Sequence, residues 1–261
     1  MRRLLCIGGH EFSTRPGDRA MTDLIASLAG DGERRVCLVP TASGDAAEQS
    51  FRFHAALADR GCAPSELSLF RLGTRPVVLR DHLLSQDLIY VGGGSMINLL
   101  AVWEAHDLAA ILRLAWEQGV VICGQSAGAM CWFEVGITKG SGTPRIAAGL
   151  GVLPGTCCVH YRSEPDRRKL MLESVKGGRT PDGYGIDDHA ALMWTERELS
   201  GVFSSRPGST VHRVEWTEGR VVETRLAPTA LVPDSRFARS TPEIDEFRRL
   251  HRHRQRFART R

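Results

Sequence analysis

Short runs of apolar residues alternate along the first half of the chain with longer stretches in which apolar residues recur every three or four positions. Leu4 to Ile7 ends in Gly8-Gly9, Arg35 to Val39 in Pro40-Thr41-Ala42-Ser43-Gly44, Asp87 to Val91 in Gly92-Gly93-Gly94, and Val120 to Cys123 in Gly124. Between them, Asp18 to Ala29, Ala46 to Arg60 and Ser95 to Gln118 carry helical spacing. Strands that stop at small residues and feed helices are the pattern of repeated βαβ units, so an α/β fold follows, a mostly parallel sheet with helices on both faces.

Beyond Gly149 the pattern loosens. Cys157 to Tyr161 and Ala190 to Trp194 are expected as strands and Glu164 to Val175 as a helix. Gly201 to Ser204, His212 to Trp216 and Val221 to Leu226 are expected as antiparallel strands near the C-terminus, at one edge of the same sheet. No internal repeat or linker divides the body. The expected organisation is one domain over 1–233, followed by a basic helix or tail over 234–261.

Composition changes this picture little. The 261 residues are 42% hydrophobic and 25% charged, as in ordinary globular proteins. No apolar run reaches the ~20 residues of a membrane helix, and Met1 to Gly9 has too short an apolar part for a signal peptide, so no membrane partner is expected. Seven cysteines, an odd number, several of them in strand-like runs (Cys6, Cys37, Cys123), suit reduced buried thiols and a cytoplasmic location.

The net charge of +4 is concentrated at one end. From Arg236 to Arg261 there are nine arginines and two histidines against Glu243, Asp245 and Glu246. A solvated helix with Phe237, Ile244, Phe247, Leu250 and Phe257 on one face explains the tail better than nucleic-acid binding, which is not expected.

Chemistry is concentrated at Gly124-Gln125-Ser126-Ala127-Gly128. A serine needs a neighbouring base and an exposed oxygen to act as a nucleophile. A GxSxG turn between a buried strand and a helix, here expected to run through Ala129 to Phe133, supplies the exposure. Helix amides would add favourable potential for negative charge. Gly92-Gly93-Gly94-Ser95 lies at a second strand end, where an oxyanion hole could be completed. It lacks the lysine of a phosphate loop and does not match GxGxxG.

Nine histidines compete for the base. His251 and His253 lie in the tail, His54, His82 and His106 in helical segments, and His10 after the first strand. His160 closes a strand, where open α/β sheets place their sites, and is weighed against His212 and His189. The carboxylate that would orient the base is sought at Asp187 and Asp188, which point in different directions on an extended chain.

The motifs in order, Gly92-Gly93-Gly94-Ser95, Gly124-Gln125-Ser126-Ala127-Gly128-Ala129-Met130, Gly151-Val152-Leu153-Pro154-Gly155 leading to His160-Tyr161, and Gly185-Ile186-Asp187-Asp188, resemble the peptidase E and cyanophycinase family of serine peptidases, peptidase family S51. The likeness spans about residues 1 to 200. It implies a fold like that of class I glutamine amidotransferases, with serine at the usual cysteine position. It also implies Ser126 as nucleophile, His160 as general base, Asp188 as the third member, and the Gly94 and Ala127 amides as the oxyanion hole. An aspartate stands at 188 where the family usually carries glutamate, one methylene longer.

Peptidase E cleaves dipeptides that begin with aspartate, and cyanophycinase cleaves β-linked aspartate-arginine units. The resemblance therefore implies a small aspartyl peptide as partner, bound at Gly93 and Ser95, with a cation drawn from Arg162, Arg167 and Arg168. No metal and no cofactor is implied, and a homodimer is left open. Ser95 replaces the family's common Asn, Thr138-Lys139-Gly140 stands where some relatives carry an acid, and the tail after Pro233 has no counterpart. The competing readings are a cyanophycinase-like enzyme, an esterase-type serine hydrolase using His189 or His212, and a non-catalytic amidotransferase-like binding domain.

Overall fold

A computed structural model describes residues 1–10, 12, 19–140 and 142–237. Its framework is an eight-stranded sheet. Strands β1 (Arg3–Ile7), β2 (Arg34–Val39), β3 (Cys62–Glu66), β4 (Leu88–Val91) and β5 (Val121–Gln125) are parallel, and β10 (Ala190–Thr195), β11 (Glu198–Ser204) and the short β14 (Thr229–Ala230) extend one edge. The order is β14-β11-β10-β1-β5-β4-β2-β3, with β10 antiparallel to β1 and β11 antiparallel to β10.

Alternation along these strands explains the layers. Leu5, Ile7, Val36, Leu38, Leu88 and Tyr90 face one way, onto α1 (Arg19–Leu28) and α2 (Ala47–Ala58) through Met21, Ile25, Phe53 and Leu57. Their neighbours Leu4, Cys6, Cys37, Val39, Ile89 and Val91 face the other way. There they meet α3 (Leu79–Leu84), α4 (Met96–Ala105), α5 (Leu108–Glu117) and the single turn α6 (Ala127–Met130). Burying both faces of a strand removes the polar half of its pattern, which is why these runs are continuously apolar.

A second sheet, not anticipated from the sequence, packs into the same core. Its strands are β6 (Phe133–Thr138), β7 (Arg145–Ala148), β8 (Leu153–Val159), β9 (Gly183–Ile186), β12 (Val211–Thr217) and β13 (Arg220–Leu226), in the order β13-β12-β9-β8-β6-β7. Cys157, Val159, Tyr184, Ile186 and Val211 join the same core as Ile89, Ile122 and Leu192 of the first sheet, while α7 (Pro165–Lys176) covers the outer face through Met171 and Val175.

Three expectations are corrected. The antiparallel strands at 211–217 and 220–226 belong to this second sheet and not to the edge of the first. The helix expected through Phe133 stops after Met130, and the chain turns at once into β6, so that Trp132 and Phe133 are fully buried. A four-residue helix has little macrodipole, so that part of the electrostatic argument falls away. The stretch from Ser95 to Gln118 is two helices, broken where Asp107 adopts a left-handed conformation with φ 52°.

At the C-terminal end, residues 234–237 pack on the body. Phe237 is buried, its carbonyl accepts from Arg19 at 2.9 Å, and the Asp234 amide donates to Asp23 at 2.9 Å. The rest of the expected basic tail, 238–261, lies outside the described residues.

Candidate active site

Three strand ends meet at one point. Ile7 pairs with Gln125 and Val91 with Gly124, so Gly8-Gly9, Gly92-Gly93-Gly94 and Gln125-Ser126 lie side by side at the carboxyl ends of β1, β4 and β5. Open α/β sheets offer their crevice there. The glycines are demanded by crowding. A Cβ on Gly124 would lie 1.9 Å from the Gly128 carbonyl oxygen, and one on Gly128 would lie 2.3 Å from that of Val91. The turn that carries Ser126 can close against the sheet only without those side chains.

Ser126 has φ 53° and ψ −113°, a conformation that costs an L-residue on the order of 1–3 kcal/mol and is held only by its surroundings. Its amide donates to the Ile7 carbonyl at 3.0 Å, and its own carbonyl accepts from Ala129 and Met130. This pinned elbow presents Oγ to His160 Nε2 at 3.0 Å. His160 follows β8 directly, itself at φ 55°, with its carbonyl accepting from the Glu164 amide at the start of α7. Its Nδ1 lies 2.5 Å from Asp188 Oδ1.

The two aspartates divide as an extended chain requires. Asp188 turns to His160, and its other oxygen accepts from the Ser163 hydroxyl at 2.5 Å. The hydrogen bond from His160 holds its carboxyl down, from an ordinary 3.8 to about 2; burial opposes the shift and Ser163 assists it. Asp187 turns away and is buried. It accepts from Arg162 Nε at 2.7 Å and the Thr210 amide at 3.0 Å, with His212 Nε2 at 3.5 Å. Burial pushes the Asp187 carboxyl up, but His212, the Thr210 amide and Arg162 together bring it below the usual range.

The shorter aspartate reaches His160 because Gly9 stands aside. A Cβ on Gly9 would fall 2.0 Å from Asp188 Oδ1 and 2.9 Å from His160 Cε1. Gly9 also forms a β-bridge with Asp188, and its carbonyl accepts from the His189 amide at 2.8 Å. Gly9 and Ser163 were not singled out from the sequence. Gly8-Gly9 was visible there as a strand end, and the three residues from His160 to Ser163 were the available hint for the other.

The remaining candidates fall as follows. A Cβ on Gly93 would lie 3.3 Å from that of Ser126, so the glycine loop borders the serine. Gly94, at φ 144°, is pressed against the Ala42 carbonyl, which accepts from the Ser95 amide at 2.8 Å. Among the described residues, no acceptor is bonded to the amides of Gly93, Gly94 or Ala127. Ser95 caps α4, accepting from the Asn98 amide at 3.3 Å. Each expected arginine meets a carboxylate of the protein: Arg162 meets Asp187, Arg167 meets Glu164, and Arg168 meets Glu223 through two nitrogens. Lys139 bridges Asp166 at 2.7 Å and Glu164 at 3.4 Å. Neither His189 nor His212 takes the place of His160 beside Ser126.

All seven cysteines are free and buried, and burial raises the thiols, Cys37 to about 12, which disfavours the reactive thiolate. Among the described residues no group of three or more His, Cys, Asp and Glu side chains is arranged to hold a metal ion, and no helix is long and apolar enough to cross a membrane.

A mixed α/β protein with a serine, a histidine and a carboxylate in hydrogen-bonded series at its strand ends has the make-up of a hydrolase. The model of peptidase family S51 matches residues 4–202, and the chain belongs to that family. It is 38% identical over 226 residues to the uncharacterised peptidase YgaJ of Bacillus subtilis (strain 168), covering 87% of this chain and 97% of that one. Two solved structures share the fold. A peptidase from an acI-B1 Actinobacterium superposes with a TM-score of 0.65 at 16% identity, over 90% of this chain and 97% of the other. A Listeria monocytogenes EGD-e protein assigned provisionally to peptidase E superposes with a TM-score of 0.57 at 19% identity, over 78% and 98%.

Proposed function

We propose that the chain is a serine-type peptidase that hydrolyses aspartyl peptide bonds in small peptides such as Asp-Xaa dipeptides. The observation that carries the reading is the unbroken series Ser126 Oγ, His160 Nε2, His160 Nδ1, Asp188 Oδ1, at 3.0 and 2.5 Å. In the proposed reaction His160 takes the proton of Ser126 as Oγ attacks the amide carbonyl, and the Gly94 and Ala127 amides receive the oxyanion. His160 then returns the proton to the leaving amine, forming an acyl-enzyme. Water, activated by the same imidazole, releases the acid. Asp188 stays ionised and orients the ring.

The aspartyl preference rests on the family likeness. Of the three arginines, Arg162 is the best placed to meet a substrate anion. It lies two residues beyond His160, and half of its side chain is exposed while Asp187 and the Gly208 carbonyl hold the rest. Free, buried cysteines support a cytoplasmic location.

An Asp-Xaa dipeptide library incubated with wild type and Ser126→Ala tests the reading. Wild type is expected to cleave aspartyl members, and the variant to lose at least about a thousandfold in kcat. Equal hydrolysis by the two proteins refutes it.

A further inference from the structure

The ladder between β8 and β9 ends at Val159 and Ile186, and the last backbone tie beyond it is the Tyr161 amide, which donates to the Ile186 carbonyl at 3.2 Å. Past that point His160 to Ser163 run beside Asp187-Asp188. Among the described residues, no backbone hydrogen bond joins 162–163 to 187–188. Side chains take over, and they do so in alternation. His160 and Ser163 meet Asp188 within the site, while Arg162, between them, meets Asp187 at 2.7 Å, turned away from it.

Asp187 is the fixed point of this second contact. Only 3% of its side chain is exposed, and with its carboxyl held below the usual range it is ionised at neutral pH, so it must keep charged or N–H partners. It is bound to Thr210 in both directions: the Asp187 amide donates to the Thr210 carbonyl and the Thr210 amide to Asp187 Oδ2, each at 3.0 Å. Arg162 completes the clamp, with Nε on the same oxygen and Nη2 on the Gly208 carbonyl at 2.6 Å. His212 Nε2, at 3.5 Å, is the looser neighbour. The carbonyl of Asp187 accepts from the Ala190 amide at 3.2 Å and is pressed against Gly8, where a Cβ would lie 2.3 Å from its oxygen. A residue fastened through its amide, its carboxylate and its carbonyl leaves the next residue, Asp188, little freedom to move.

We infer that Asp187 is a positioning residue: clamped by Arg162 and Thr210, it sets the chain so that Asp188 reaches His160, and it acts on the reaction only through Asp188. This role rests on Ser126, His160 and Asp188 working as the peptidase reading above has them, and it requires no particular substrate. The adjacent acids thus divide the work. Asp188 orients the imidazole, and Asp187 orients Asp188. Catalytic geometry is sensitive on this scale, since a displacement of about 1 Å costs on the order of a hundredfold in rate.

The test reads Ser126 directly, as its rate of labelling by an uncharged alkyl fluorophosphonate at neutral pH, scaled to the folded fraction measured by circular dichroism. This probe carries no acidic side chain, so a contact between Arg162 and a substrate anion does not enter. Asp187→Asn is expected to slow labelling about tenfold, and Arg162→Gln about threefold. Combined with Asp188→Asn, neither should slow it further, because the residue through which they act is already lost. Should Asp187→Asn fold poorly, Arg162→Gln, at a half-exposed position, decides alone. A wild-type rate in the folded single variants overturns the role. So does a slowing of the same size with and without Asp188→Asn, which is what a general loss of packing would give. A wild-type rate in Asp188→Asn would overturn the hydrogen-bonded series itself, and this role with it. Failure of the peptidase reading would show separately, as equal hydrolysis by wild type and Ser126→Ala.

Discussion

The two sheets contribute differently to the candidate site. The eight-stranded sheet brings the Ser126 turn and the glycine loops, all on parallel strands whose ends align. The six-stranded sheet brings His160 from the end of β8. Asp188 lies where the chain leaves β9 in the second sheet and enters β10 in the first. The hydrogen-bonded series therefore crosses a seam, and its geometry depends on how two separately built layers are held together. Gly9, bridged to Asp188, is the tie from the first sheet, and Ser163, bonded to the same carboxylate, is the tie from the second.

Substitutions at the seam should separate catalytic geometry from folding. Asp188→Asn is expected to have the largest effect, a fall in kcat of about ten-thousandfold, because an amide offers His160 the wrong partner and the wrong tautomer. Steady-state kinetics on a cleaved dipeptide measures it, and a fall below tenfold would remove Asp188 from the series. Gly9→Ala should cost about a hundredfold in kcat through displacement of Asp188 and His160, with fluorophosphonate labelling of Ser126 slowed in parallel. Loss of folding without a change in the activity of the folded fraction would argue that Gly9 serves packing alone.

Ser163→Ala is expected to be milder, about tenfold in kcat with KM little changed, since His160 still holds one oxygen of Asp188. Ser163→Thr keeps the hydroxyl and should recover most of that loss. The smallest effect concerns stability in acid. Asp188 titrates lower in the folded chain, about 2 against 3.8, so its contribution to stability is full above 3.8 and disappears as pH falls through about 2. The difference in thermal midpoint between wild type and Asp188→Asn should narrow across that window; a difference that grows with acidity would contradict the assigned ionisation.

The unequal legibility of the two sheets has the same physical origin. Strands buried on both faces, such as Leu88 to Val91, announce themselves as apolar runs, and the turn after β5 carries its glycines in sequence. The second sheet hides its strands. β9 is Gly-Tyr-Gly-Ile, with glycines where a Cβ would strike Thr156 or the ring of Tyr161, so close packing erased the β-branched signature. In the first sheet only β3, Cys-Ala-Pro-Ser-Glu, is comparably hidden, because it is a polar edge strand. Ser126 was readable from a local turn, whereas the choice of His160 over His212 and of Asp188 over Asp187 drew on family likeness, because it depends on contacts 34 and 28 residues apart along the chain. That His212 stands beside Asp187, and His160 beside Asp188, required the sheets to be brought together.

The most direct test of the seam is the rate at which a fluorophosphonate probe modifies Ser126, located by mass spectrometry, in wild type, His160→Ala and His212→Ala. The account predicts an adduct on Ser126 in wild type and in His212→Ala, and its loss in His160→Ala. Labelling that survives His160→Ala and disappears with His212→Ala would contradict it.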